Sequence, residues 1–455
     1  MGASVIIEVS RKVKKGVKMK KNLVKKFFRF VIPSILSMLA FSLYTMVDGM
    51  FVAKGIGEKA LAAVNLSSPY NSAMFASGLL IAVGMSTVIS IELGKGEKEL
   101  ARRLFTQNLL VSAAAALMIS VVTLMNLEHV ARFLGATEDT LGYVMEYVGI
   151  IAPFAMFFIC AYNMEVLVKT DGTPQLSVIG VSAAGLANVV LDWLFVMKLG
   201  WGVKGAAFAT GLAQVLSVVI YLVYFGKYSK ILKFTRFRWN LRIYGRTLPL
   251  GVADGITEFS NGIVIFLFNQ AILGLLGEDG VVSYTVVGYV NTLVLMMMSG
   301  TAQGLQPISS YHYGRGEQKQ YMFLMKLGVG MGLIFGILGW AVCQVLGDQI
   351  VALFIAPSSR LFEVSAQALK TYAWAFLFMG FNVVTAAFFT SVERAGYSFP
   401  ISMGRGLVLP AAAVFAVSAI HKGEWIWLCG AAAEGLCLIL TLGLMSCYLR
   451  RGRSS

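Results

Sequence analysis

Charge is scarce in this chain. Asp, Glu, Lys and Arg make up 13% of its 455 residues, where a water-soluble domain carries roughly a quarter. Histidine is scarcer still, at three, and proline stands at nine. The five cysteines (Cys160, Cys343, Cys429, Cys437 and Cys447) show no metal-ligand spacing and no pattern that would staple a small domain. They read as small apolar packing groups. There is no Walker A sequence, no Gly-x-Gly-x-x-Gly on a strand-to-helix turn, and no His/Cys cluster. Enzymatic catalysis and a resident cofactor are therefore not expected. No loop is long enough to hold a nucleotide-hydrolysing domain, which argues against an ATP-driven pump.

Apolar residues are abundant. They make up 57% of the chain, with a mean hydropathy of +0.74. One water-soluble core cannot hide that much apolar surface. The apolar residues fall into twelve runs: 28–53, 62–92, 102–126, 141–168, 175–198, 203–225, 246–275, 281–310, 320–346, 363–391, 398–419 and 425–449. Each is long enough to cross about 30 Å of hydrocarbon as a helix, which needs roughly 20 residues. The period-2 alternation of an outer-membrane strand is missing. The fold class expected is an all-α polytopic membrane protein. Pro33, Pro153, Pro249 and Pro410 lie inside spans and predict bends.

The net charge of +15 is unevenly placed. With the spans numbered, roughly 29 Lys and Arg fall on one side and about seven on the other, the positive-inside asymmetry. Both termini should therefore be cytoplasmic, in a multi-pass protein of the inner or plasma membrane. The basic excess is a topology signal, and contact with lipid headgroups accounts for it better than nucleic acid does.

The chain repeats itself. Gly94-Lys95-Gly96-Glu97 closes the second apolar run, and Gly314-Arg315-Gly316-Glu317 closes the eighth, 220 residues later. Gly172 and Gly180 match Gly396 and Gly404 at an offset of 224, and Pro33 matches Pro249 at 216. Six spans per half return the chain to its starting side. The two halves should then be parallel repeats, two six-helix lobes related by a pseudo-two-fold along the membrane normal. The organisation expected is a basic tail over 1–18, a first lobe over 19–225, a cytoplasmic linker over 226–246 with seven Lys or Arg, and a second lobe over 247–455.

Four stretches, in order, resemble one family: VDGMFVAKGIGEKALAAVN (47–65), KTDGTPQLSVIGVSAAGLANVVLDWLF (169–195), GWGVKGAAFATGLAQ (200–214) and GTAQGLQPISSYHYGRGE (300–317). They look like the multidrug and toxic compound extrusion (MATE) family, in its prokaryotic DinF-like and MepA-like branch. The resemblance covers about Met19 to Arg453. It implies a V-shaped cavity between the lobes and efflux of amphipathic, mostly cationic compounds, driven by inward Na⁺ or H⁺. A lipid-linked precursor flippase of the same superfamily is the alternative reading, and a channel or receptor a further one. The partners implied are small amphipathic cations and membrane lipid, with no nucleic acid and no obligatory protein partner.

An acid in mid-membrane costs roughly 2.5–3.5 kcal/mol on insertion scales, so each one calls for a reason. Asp48 lies deep in the first span, and Asp192 lies in the fifth with Asn188 one turn before it. The resemblance assigns cavity roles to Asp48, Asn188, Asp192 and Thr210, and matches Asn163 to an Asn of the fourth helix. These four, Asn163 apart, are the ligand set if the coupling ion is Na⁺, with Asn and Thr oxygens as neutral donors to a hard cation. Asp254 and Glu258 repeat the i, i+4 spacing in the seventh span. Glu258 resembles a seventh-helix acid used by another branch, but the tenth-helix acid of that branch is missing, and its span offers Asn382. Glu165, Glu393 and Glu434 read as structural acids. Arg405 reads as a snorkelling residue, and His312 as a structural one.

Overall fold

A computed structural model describes residues 2–55 and 58–451, with the side chains of 2–17 and 58–61 left out of the description. The described residues contain helices and turns and no strand. In chain order the α-helices are α1 (Gly2–Gly55), α2 (Glu58–Lys95), α3 (Lys98–Met125), α4 (Leu127–Phe133), α5 (Leu141–Thr170), α6 (Gln175–Asp192), α7 (Gly202–Val223), α8 (Tyr244–Gly314), α9 (Gln318–Ala352), α10 (Leu361–Tyr372), α11 (Phe376–Ser391), α12 (Ala395–Met403), α13 (Leu409–Ile420) and α14 (Cys429–Arg451). π-Helical turns extend α6 (Trp193–Lys198) and α7 (Tyr224–Tyr228) and join α12 to α13 (Gly404–Val408).

Eleven continuous helical stretches among the described residues are long and apolar enough to cross a membrane. The longest, Leu241–Gly314, breaks at Gly277, where φ is 71° and ψ −165°. That backbone conformation has no steric cost only for glycine. The break falls between the seventh and eighth runs read from the sequence, so the segments among the described residues long and apolar enough to cross number twelve. Side chains such as Leu117, Leu186, Val345 and Ile439 stand well exposed on the outside of this bundle, where hydrocarbon would meet them.

Two boundaries differ from expectation. Helix α1 runs back to Gly2, so residues 2–18 of the segment read as a tail over 1–18 continue the first helix. The linker is shorter than 226–246. Gly226 ends up in the π-helical turn after α7 and Arg246 inside α8, which leaves 229–240 as the non-helical part.

The repeat is visible in backbone detail. In the first copy Gly96 (φ 92°) bonds back to Leu93, and Glu97 N donates to Glu92 O at 2.9 Å. In the second, Gly316 (φ 70°) bonds to Tyr313, and Glu317 N donates to His312 O at 3.0 Å. The other matched pair needs correcting. Gly172 (φ 96°) is followed by Thr173 N bonding to Val168 O, and that pattern recurs at Glu393 (φ 54°) with Arg394 N bonding to Phe389 O. Gly396 sits inside α12. The structural offset is therefore 221 rather than 224, close to that of the first pair. Matching glycine to glycine misled because the second copy places a glutamate in the left-handed conformation.

Apolar packing is segregated by half. One cluster gathers Tyr70, Met74, Tyr147, Ile151 and Ala207 within the first half, and another gathers Ile272, Met298, Leu369, Phe376 and Trp427 within the second. A smaller cluster joins the halves: Phe27, Phe30, Val31 and Ile35 of α1 pack against Leu305 and Ile308 of α8.

Candidate functional site

The joint between the halves is closed at one end, the end that carries the basic loops. An added Cβ on Gly251 of α8 would lie 1.9 Å from the Leu80 carbonyl oxygen of α2. One on Gly94 would lie 2.2 Å from the Tyr311 carbonyl oxygen. Only glycine permits backbones this close. Polar bonds reinforce the seam. Gln306 Nε2 donates to Thr87 Oγ1 at 2.7 Å, and Arg246 Nη1 lies 2.9 Å from Glu92 Oε1. Lys169 Nζ of α5 donates to Gln303 Oε1 of α8 at 2.8 Å, and Gln303 Nε2 donates to the Tyr162 hydroxyl at 3.1 Å. The side-chain hydrogen bonds that Lys169, Arg246, Gln303, Gln306 and Gln320 make between the halves all lie toward this basic end.

Toward the other end of the first half, α1, α6 and α7 pack together and bring four of the expected residues into one cluster. The carboxyl groups of Asp48 and Asp192 are close neighbours, and Asn188 stands beside both. Asp192 and Asn188 are buried. Asn188 Nδ2 reaches Thr210 Oγ1 at 3.5 Å, while the Thr210 hydroxyl donates to Ala206 O at 2.9 Å. Both Asp192 oxygens, Asp48 Oδ1 and Asn188 Oδ1 are buried with no donor in hydrogen-bonding geometry among the described residues. A buried carboxylate without a donor is costly, and two that face each other add repulsion. The cluster thus gathers several buried acceptor oxygens that lack donors. A proton or a hard cation would relieve the repulsion there. No group of three or more His, Cys, Asp or Glu that could hold a metal occurs among the described residues.

Asn163 is not part of this cluster. Its Nδ2 donates to Ser112 Oγ at 2.7 Å, and its Oδ1 accepts from Asn108 Nδ2 at 2.9 Å, so its amide ties α5 to α3. Asp254 and Glu258 lie one turn apart on α8, partly buried, with no hydrogen bond or ion pair among the described residues. Both stand close to Tyr162 of α5. Tyr44 of α1 lies near Asp48 and Glu165, all within the first half.

Several partnerships escaped the sequence reading, which took Glu165 and Glu434 only as structural acids. Glu165 and Lys169 form a buried pair at 3.0 Å, and Ser37 donates to Glu165 Oε1 at 2.9 Å. Their i, i+4 spacing in an apolar run was the available signal. Asp171 anchors the linker, accepting from Tyr224 at 2.6 Å, Ser229 at 2.9 Å and Leu232 N at 2.7 Å. Burial pushes its carboxyl above the usual range despite those donors. Arg405, expected to snorkel, instead pairs with the buried Glu434 at 2.9 Å, and Asn382 Nδ2 donates to the other Glu434 oxygen at 2.8 Å. Burial explains the difference: an arginine held among helices needs a counter-charge more than it needs the interface. The tenth-span position that lacks an acid is thereby supplied with one from α14, already neutralised.

This arrangement has known counterparts. The chain is similar to multidrug export protein MepA of Staphylococcus aureus (strain MSSA476), at 22% identity over 437 residues, covering 94% of each protein. It is also similar to MepA of Staphylococcus saprophyticus, at 22% identity over 79% of this chain and 81% of that one. Among solved structures it resembles an outward-facing multidrug resistance MATE family transporter of the MOP superfamily, with a TM-score of 0.85, 22% identity, and 94% and 95% of the two chains covered. A MOP superfamily transporter from Pyrococcus furiosus, described as having a binding pocket of reverse polarity, matches with a TM-score of 0.86 at 21% identity, over 94% and 95% of the two chains. The MatE family profile matches residues 33–194 and 258–412. Those stretches take in most of the chain and carry Asp48, Asn188, Asp192 and Glu258, and the chain belongs to the MatE family.

Proposed function

We propose that this protein is a secondary active multidrug exporter of the plasma membrane. It would expel amphipathic, mostly cationic compounds in exchange for inward Na⁺ or H⁺. The observation that carries this reading is the Asp48–Asp192 pair, whose buried oxygens lack donors. Such a pair has two occupancy states that differ in local charge, which is what an ion-coupled transporter must have. With Asn188 and Thr210 it would bind the coupling ion. Asp254 and Glu258, facing the joint from the other half, would attract cationic cargo.

The positive-inside rule makes the closed end cytoplasmic, along with both termini and the linker. On that reading this state would be the one open to the outside. The cycle would rock the first six spans against the last six, breaking and remaking the seam at Gly251, Gln306 and Lys169. Moving one charge through 100 mV supplies about 2.3 kcal/mol, enough for one ion per cycle to drive substantial accumulation. The similarity to MepA proteins supports the cargo class.

The test is dye efflux from proteoliposomes under separately imposed Na⁺ and H⁺ gradients. Efflux should follow one of the gradients and stop when it is collapsed. Equal efflux without any gradient would overturn ion coupling, and absence of dye transport under both would overturn the exporter reading.

A further inference from the structure

At the basic end, a cleft of about 440 Å³ lies between the start of the first membrane span and the turn joining α8 to α9. Lys18, Lys26, Tyr311, His312, Arg315 and Glu317 are among its lining residues. Its walls belong to different halves, α1 on one side and the α8–α9 turn on the other.

The cleft carries unbalanced positive charge, and the internal repeat shows why. Glu92 and His312 occupy the same place in the two copies, 220 residues apart, each accepting the backbone bond that closes its turn. In the first copy the side chain is a carboxylate, and it is met by Lys95 at 2.9 Å and by Arg246 at 2.9 Å. In the second copy it is an imidazole. Lys26, which faces it, has no carboxylate partner among the described residues and rests over the Tyr311 ring, 4.8 Å from its centre. The one acid in the cleft is already engaged: Glu317 accepts from Arg315 at 2.8 Å and bonds His312 Nδ1 at 2.6 Å. Burial alone would raise the Glu317 carboxyl, but the bonds from His312 and Arg315 hold it below the usual range. Three cations thus share a single committed carboxylate, and His312 Nε2 is buried without a partner.

We propose that this cleft binds a phosphate group, through Lys26, Lys18 and Arg315, and that the bound anion bridges the two halves at their closed end. A phosphate offers several acceptor oxygens to donors arriving from different directions, as this set does. It would supply the charge that Glu92 provides in the first copy. Two sources carry that group: the headgroup of an anionic phospholipid at the membrane surface, and free phosphate from solution. Either one, held between α1 and the α8–α9 turn, favours the state in which this end is shut.

Native mass spectrometry of the full chain, titrated with phosphatidylglycerol, tests the lipid source. Thermal shift in phosphatidylcholine nanodiscs, titrated with inorganic phosphate, tests the other. The comparison is between K26Q/R315Q and the charge-matched control K21Q/K98Q, whose lysines are exposed at the same end but outside the cleft. K26Q/R315Q should bind one of the two probes about tenfold more weakly than wild type, a fair loss for two charges removed at a lipid surface. K21Q/K98Q should bind as wild type does. K26R/R315K, which keeps both charges, should also bind, and its behaviour separates loss of the site from loss of the fold. Phosphatidylglycerol binding that depends on Lys26 and Arg315 assigns the lipid source, and a phosphate-induced shift with the same dependence assigns the soluble one. If both probes act equally on K26Q/R315Q and K21Q/K98Q, the proposal fails.

Discussion

Arg246 of α8 lies 2.9 Å from Glu92 of α2 and also bonds Glu393 of the α11–α12 turn, so one guanidinium joins both halves. The Glu92 side chain is almost fully buried while Arg246 is about a third exposed. Removing the cation leaves Glu92 with Lys95 alone. Arg246→Gln should therefore loosen the closed end. Hydrogen exchange should speed up by about tenfold or more at 83–95 and 244–251, matching a local loss of about 1.4 kcal/mol. Residues 141–160, away from the seam, should be unaffected. Unchanged protection at 83–95 would mean the ion pair does not hold the seam.

Gly251 makes a sharper test because no charge is involved. A methyl group there meets the Leu80 carbonyl oxygen at 1.9 Å, and backbone cannot yield as a flexible side chain can. Gly251→Ala should part α2 from α8 at the basic end, at a cost of about 1–3 kcal/mol to this state. A double-label distance measurement across that end should show a wider population. Gly262→Ala, on the same helix with open space around its Cβ position, should leave the distance unchanged.

The buried pair Glu165–Lys169 invites a cycle of variants. Lys169 is 1% exposed, with Glu165 3.0 Å away and Gln303 2.8 Å away. Lys169→Met strands a buried carboxylate and should cost about 3–5 kcal/mol, seen as a markedly lower Tm in detergent. Glu165→Gln should cost less, since Ser37 can still donate to the amide oxygen. The double variant should recover most of the loss. If the two single effects simply add, the residues are not coupled.

Much of this fold was legible because hydrocarbon imposes few solutions. The twelve apolar runs match twelve helical segments long enough to cross among the described residues, and the break at Gly277 fell where the seventh and eighth runs part. The repeat was legible through glycines that need a left-handed backbone, Gly96 and Gly316. It misled where Glu393 took that conformation without being glycine. At the site, Asn188 and Asp192 share a helix face by spacing alone, and Asp48 and Thr210, named through the resemblance, lie beside them. Asn163 was misplaced because an intramembrane amide serves as well in a helix-to-helix bond as in a cavity. The pairings of Arg405 with Glu434 and Arg246 with Glu92 span 29 and 154 residues. No local pattern specifies which distant acid neutralises a given cation, so they became visible only in three dimensions.

The coupling step is where the acids separate in role. Asp48 and Asp192 converge on one another without donors, whereas Asp254 and Glu258 stand apart on a single helix facing the joint. Asp192→Asn removes one charge and supplies an amide that can donate to Asp48, so the pair no longer needs an ion. Gradient-driven dye efflux should fall to background in Asp192→Asn and in Asp48→Asn, while insertion and Tm are kept or improved, because an uncompensated buried carboxylate has been removed. Asn188→Ala should weaken coupling less, by about tenfold, since one neutral ligand is lost and both charges stay. Glu258→Gln should lower efflux of cationic dyes more than of neutral ones and leave the gradient requirement intact. Wild-type efflux rates in Asp48→Asn under the same gradient would remove the coupling site from the first half. Loss of coupling confined to Glu258→Gln would place it in the second half, on α8.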